Sequence, residues 1–233
     1  MITPQTRLDA DNNNPSLYAG VTRIFTEDTD LTLAPRKWPR QARSRATVDA
    51  ILDATALLLE EGKSCSTNAI ADRAGVGIAT LYQYFQGRNE VIAALSRQVR
   101  ERLVHTVASA LVTACRQSLR DGLRSLILAA VQTDRKHPLF AVRLDEIEAK
   151  LPLETDHHRI MTELCAVVTT FLEHHNVALG RKAQALANDL CVIAGALIDV
   201  TRQRTTVIEA DQLDRIIGQL MAVIQAEKKL MRE

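Results

Sequence analysis

The sequence predicts an all-α protein of about nine helices: a three-helix domain built on a helix-turn-helix corner near the N-terminus, then a C-terminal helical bundle. Three observations predict it. Residues on one face recur at three- and four-residue spacing, as Val48, Ile51, Leu52, Thr55, Leu58 and Leu59 do. No stretch alternates apolar and polar residues as a half-buried strand would, and hairpin-type turn dipeptides are missing. Gly62, Pro138, Pro152 and Gly180 punctuate the periodic segments. With 233 residues, 46% apolar and 24% charged, the chain can bury a sizeable core in one or two domains, and wholesale disorder is excluded.

The first 35 residues carry Pro4, Pro15, Pro35 and the run Asn12-Asn13-Asn14, with two basic against five acidic residues and no periodicity. A flexible N-terminal arm over residues 1–40 is expected. The charge then changes sign: Arg36, Lys37, Arg40, Arg43 and Arg45 fall within ten residues with no acid between them. A helix follows through Leu59, and Gly62 closes it as a left-handed cap. Two short helices occupy the stretch to Phe85, and later helices are expected at about 89–113, 116–136, 138–149, 155–176, 181–204 and 209–230. The domain division that results is 41–88 for the corner and 89–233 for the bundle.

The informative segment runs from Thr67 to Phe85. Ser66 or Thr67 can cap the first helix through its side-chain oxygen. Ile70 and Ala74 face inward, and small Ala71 lets a second helix cross close by. Gly75 follows the last helical residue, where positive φ is needed and only Gly adopts it without strain. Val76 and Leu81 then bury against the first helix. Two helices joined by a short Gly-containing turn form a helix-turn-helix, whose second helix enters the DNA major groove. Thr80, Tyr82, Gln83 and Tyr84 place hydroxyls and an amide on that second helix, and Gly87 and Arg88 follow at once. Such groups suit phosphate and base-edge contacts.

These residues carry a resemblance. Ile70-Ala71-x-x-Ala74-Gly75-Val76-x-x-x-Thr80-Leu81-Tyr82-x-Tyr84-Phe85-x-x-Arg88-x-Glu90 resembles the DNA-binding signature of TetR-type (TetR/AcrR) bacterial transcriptional regulators, over about residues 43–95. Two positions depart from it: Gly77 stands where Ser or another polar residue is usual, and Arg88 replaces the commoner Lys. Arg88 keeps the charge and adds a planar fork for phosphate. Combined with the residue chemistry, the resemblance assigns Ile78, Ala79 and Thr80 to the opening of the recognition helix. There, Ile78 and Ala79 can pack on thymine methyls, and Thr80 can bond a base or phosphate. Gln83 is the candidate bidentate base reader. Tyr82 and Tyr84 either hold phosphates or seal the domain as half-buried rings. Thr67 and Asn68 are candidates for backbone and base contacts, Arg43 and Arg45 for phosphate clamps. Arg36, Lys37 and Arg40 either enter the minor groove or belong to a solvated tail.

Beyond residue 95 there is no nucleophile elbow, phosphate loop or paired-His metal motif, so no catalytic, cofactor or metal residues are expected. His157-His158 and His174-His175 are adjacent pairs that point about 100° apart on a helix. The four cysteines, Cys65, Cys115, Cys165 and Cys191, form no Cys-x-x-Cys pair and read as reduced core thiols. The longest apolar run, residues 190–198, is too short to span a bilayer, and no secretory leader opens the chain, so a cytoplasmic protein is expected.

The last two helices show more apolar surface than one domain needs. Leu213, Ile216, Ile217, Leu220 and Ile224 form a stripe, and Leu190, Ile193, Ala194 and Leu197 lie on a preceding helix that is apolar almost all round. Either a second copy covers these faces or they are internal. The resemblance implies the former, a dimer joined through its last two helices and reading a near-palindromic operator. It also implies an effector-binding second domain and, most often, repression. Only Phe140 and Phe171 are aromatic after residue 95, so a pocket there is expected to be aliphatic and to take an aliphatic or small effector, with Asp199 as a polar candidate beside those two rings. Two other readings compete: a regulator without an effector, and an all-helical enzyme or carrier that uses the corner only for packing.

Overall fold

The computed structural model describes residues 33–36, 42–132, 138–205 and 208–230. The expected arm over 1–40, including Lys37 and Arg40, lies outside the described residues except for 33–36. Among the described residues there are nine helices and no strand: α1 Ala42–Glu60, α2 Thr67–Ala74, α3 Ile78–Tyr84, α4 Arg88–Cys115, α5 Leu119–Gln132, α6 Pro138–Glu148, α7 Glu154–His174, α8 Gly180–Arg204 and α9 Ala210–Leu230.

The predicted stripe of α1 is its buried face, with Ile51 fully covered and Leu52, Leu58 and Leu59 at most 5% exposed. Gly62 ends the helix at φ +69, and a Cβ there would also lie 2.7 Å from the Arg143 guanidinium. The backbone angle therefore demands glycine, whereas the Arg143 side chain could swing aside. Helix α5 starts three residues later than its periodicity suggests, because Ser118 Oγ accepts the Asp121 N–H at 3.2 Å and fixes the first turn there.

Two apolar cores result. The first gathers Ile51, Leu59, Ile70, Leu81, Phe85 and Ile92 with Phe140 and Leu144 of α6. The second joins α4, α5, α7, α8 and α9 around Leu111, Phe171, Leu190 and Leu220. Helix α4 runs through both: Val91 to Leu95 pack in the first, Val104 to Ala114 in the second. Between them sits Arg97, 5% exposed, with Nη2 donating to Asp156 Oδ2 at 2.8 Å and Nη1 to the Leu33 carbonyl at 3.1 Å. A charge so deeply buried is tolerable only when fully partnered, and here it ties residue 33 and α7 to the central helix.

The stripe on α9 turns inward. Leu213, Ile216, Ile217, Leu220 and Ile224, with Leu190 and Ala194 of α8, are covered by this chain's own core, and Ile193 and Leu197 pack against its edge. Seven of the nine residues expected at a dimer face are thus buried within one chain, while Ile193 and Leu197 stay half-buried. Apolar surface left on α8 is instead Val192, 53% exposed, and Val200, 45% exposed. Among the described residues α8 alone is long and apolar enough by composition to cross a membrane.

Candidate nucleic-acid interface

The corner is built as its sequence dictates. Ser66 caps α2, its Oγ accepting the Ala69 N–H at 3.2 Å from extended backbone at φ −69, ψ 156. Gly75 ends α2 at φ +66, and the Val76 N–H reaches back to the Ala71 carbonyl at 3.0 Å. No atom lies within 4 Å of a Cβ at Gly75, so the backbone angle alone requires glycine. Ile70, Ala71, Leu81 and Phe85 are at most 1% exposed and lock α3 across α2.

What remains outside α3 is its DNA-facing candidate surface. Ile78 and Tyr82 are 39% and 42% exposed, and Ala79 and Gln83 are exposed beside them. The Tyr82 hydroxyl lies 3.3 Å from Thr67 Oγ1, so the start of α2 and the middle of α3 form one polar surface, with Asn68 exposed next to it. Thr80 and Tyr84 are half-buried, and Tyr84 packs against the first core. Its ring is thus at least partly a seal. Gly77 is the N-cap of α3 and offers no side-chain hydrogen bond.

Cations flank this surface. Arg43 and Arg45 are exposed on the first turn of α1, and Arg88 is exposed at the start of α4. Sequence reasoning left Arg36 between two readings; its backbone N–H donates to the Tyr84 carbonyl at 2.8 Å and its Nη1 to the Tyr82 carbonyl at 3.5 Å. A guanidinium there meets the carbonyl-rich end of α3, where the helix dipole favours a positive charge. Glu61, by contrast, is held below the usual carboxylate range by hydrogen bonds from Lys63 and Arg73, which neutralises an acid near the corner.

The bundle contains a cavity of about 550 Å³, within the size range of small-molecule sites. Its walls are largely Leu, Ile, Val, Ala and Met, and Asp199 lines it. Phe140 and Phe171, the expected ring contributors, do not. Phe140 packs into the first core, and Phe171 is sealed where a Cβ on Gly122 would come within 2.7 Å of its ring. Sequence reasoning missed the polar cluster of the cavity: Arg100, Asp145, Glu148, His157 and Arg202 come from α4, α6, α7 and α8. Only Asp145 and Glu148 share a helical spacing that could have linked them. Arg100 ion-pairs with Glu148 and stands 3.8 Å from Asp145. The Asp145 carboxyl is pushed up to about 6 by burial and by the nearby Glu148 and Asp199 charges, against the pull of Arg100 and Arg202.

Cys165 and Cys191, far apart in sequence, meet across α7 and α8, and their contact together with burial pushes the Cys191 thiol up. Among the described residues no group of three His, Cys, Asp or Glu is placed to hold a metal ion.

Residues 51–95 match the family model described as bacterial regulatory proteins, tetR family. No curated protein matches the sequence. Among solved structures, a TetR-family transcriptional regulator from Streptomyces coelicolor is 21% identical with a TM-score of 0.62, the alignment covering 79% of this chain and 98% of that one. A putative transcriptional regulator from Pseudomonas aeruginosa PAO1 is 17% identical with a TM-score of 0.59, covering 83% and 93%. The regulator LfrR from Mycobacterium smegmatis, solved in complex with proflavine, is 18% identical with a TM-score of 0.55, covering 78% and 98%. Residues 51–95 thus match the N-terminal domain of the tetR family, and the chain shares its all-α fold with these solved regulators.

Proposed function

We propose that the protein is a ligand-responsive repressor that acts as a cytoplasmic homodimer on a near-palindromic operator. The observation that carries the ligand response is the placement of α6. One side of this helix borders the cavity through Ala141, Leu144, Asp145 and Glu148. The other holds the DNA-binding domain: Arg143 Nη1 donates to the Leu59 and Glu60 carbonyls at 2.5 and 2.9 Å, and the Phe140 N–H donates to Glu60 Oε2 at 2.7 Å. Any occupant that shifts α6 therefore moves the end of α1, on which α2 and α3 are packed. A ligand that releases DNA must bind the DNA-free arrangement more tightly, and DNA must weaken the ligand by the same factor.

On DNA, Gln83 reads a base edge, with Ile78 and Ala79 on thymine methyls and Thr67, Asn68, Thr80 and Tyr82 around them. Arg43, Arg45 and Arg88 engage phosphates and set register without reading sequence. Two copies meet through the outward faces of α8 and α9, where Val192, Val200 and the open Gly218 leave room for a partner helix. The test is selection of bound sites from random DNA at physiological salt. Enrichment of two inverted half-sites supports the reading, and recovery of no palindromic site overturns it.

A further inference from the structure

The polar cluster of the cavity indicates what it binds. Its walls include Leu103, Leu123, Ile127, Met161 and Leu164, and no Phe, Tyr or Trp is among its lining residues. Stacking of a flat aromatic ligand therefore finds only the His157 imidazole, whereas an alkyl chain finds contact along the walls. The cluster itself is unbalanced. Asp145, Glu148 and Asp199 are three carboxylates, and Arg100 and Arg202 are two guanidiniums. Glu148 is the most buried, at 2% exposed. Its Oε2 is taken by Arg100 and lies 3.4 Å from His157 Nε2, but its Oε1 is buried with no hydrogen-bond partner. A buried carboxylate oxygen left without a donor is costly, and here it faces a cavity from which a donor could come.

Resting on the effector reading above, we propose that the cavity takes an aliphatic primary amine, its chain along the apolar walls and its ammonium donating to Glu148 Oε1. An ammonium has three N–H donors, fills the vacant acceptor, and brings the positive charge that three carboxylates against two guanidiniums lack. A fatty carboxylate would add a fourth anion while Arg100 is already engaged by Glu148 and Asp145. A quaternary ammonium carries charge but no N–H, so Oε1 would stay unpaired. An alcohol donates once but leaves the charge excess.

Calorimetric titration of the full chain with decylamine, decyltrimethylammonium and decanoate below their micelle concentrations, and decanol below its solubility limit, separates these heads. Decylamine is expected to bind about tenfold or more tightly than the other three. Shortening the amine is expected to weaken it about fourfold per methylene. Glu148→Gln should weaken decylamine about tenfold while leaving decanol unchanged. Asp199→Asn, at an exposed position with little bearing on folding, should weaken decylamine in the same sense and decides the matter if the Glu148 variant misfolds. Decanol or decanoate equalling decylamine, no binding of decylamine, or an amine affinity untouched by either variant overturns the proposal. Operator release, read in parallel by fluorescence anisotropy, keeps the two readings apart. Amine-selective binding without DNA release would sink the effector function and leave the ligand assignment. Release by decanoate would do the reverse.

Discussion

Gln83 and Arg88 are both exposed polar residues of the DNA-binding domain, and physical chemistry gives them opposite effects on specificity. The amide of Gln83 presents a donor beside an acceptor, which matches an adenine edge and no phosphate in particular. Arg88 offers a fork that any phosphate satisfies. Gln83→Ala should cost about 1–3 kcal/mol on the selected operator and almost nothing on random DNA, flattening sequence preference. Arg88→Ala should weaken both alike and lower the salt slope by about one unit. Binding isotherms on both DNAs at several salt concentrations check the pair, and equal losses for Gln83→Ala would refute its role as a reader. The Asp145 side chain is 57% exposed, so solvent screens part of the cost of charging it. Its carboxyl is pushed up to about 6 by burial and by Glu148 and Asp199, so the folded chain holds this proton more tightly than the unfolded chain. Ionising it therefore costs stability above the ordinary carboxylate range, and the cost is complete once pH passes about 6. Arg100 from α4, His157 from α7 and Arg202 from α8 share the cavity with it, and none relieves that cost fully. Asp145→Asn is expected to raise the thermal midpoint at neutral pH, with the gain vanishing as pH falls through about 6 into the acid range. A gain that persists in acid would show that the neighbours, not the charge, set the effect.

At the scale of elements, close approach decides where helices can lie. Gly122 lets α5 meet α4 and α7, since a Cβ there would fall 2.4 Å from the Ala114 carbonyl oxygen and 2.7 Å from the Phe171 ring. Backbone cannot yield as a flexible side chain can. Gly122→Ala should thus destabilise by about 1–3 kcal/mol despite its better helix propensity, read as a lower denaturant midpoint with an unchanged slope. A stabilised variant would mean that α5 has room to move. The same distinction between local and distant determinants explains what the sequence could reveal. The corner was legible because its causes are neighbours in the chain: Ser66 caps α2, Gly75 ends it, and Leu81 lies one turn into α3. The cavity was not, because Arg100, Asp145, Glu148, His157 and Asp199 come together only when four helices pack. The α9 stripe is legible in the sequence, but what covers it is not. Periodicity identifies an apolar face and says nothing about whose core covers it, and here the chain's own α5 and α8 do.

At the scale of the whole molecule, one copy of α3 is too little surface to find an operator. Single modules bind DNA chiefly through phosphate, and specificity against a genome of competing sites needs two half-sites engaged at once. The inward turn of the α9 stripe leaves Val192 and Val200, two turns apart on α8, as the most exposed large apolar residues of that helix. Neither belongs to a buried core, so charging them should spare the fold. The double variant Val192→Asp with Val200→Asp is expected to keep its helical circular dichroism while running as a monomer in light scattering. Its affinity for a full operator should fall about 10²- to 10⁴-fold, the gain that linked sites confer, while its affinity for an isolated half-site stays level with the parent. The parent's melting temperature should rise with protein concentration and the variant's should not, because only a dimer couples folding to association. A variant that remains dimeric would move the interface off α8, and one that loses half-site binding as well would show that the substitutions disturb the DNA-binding domain itself.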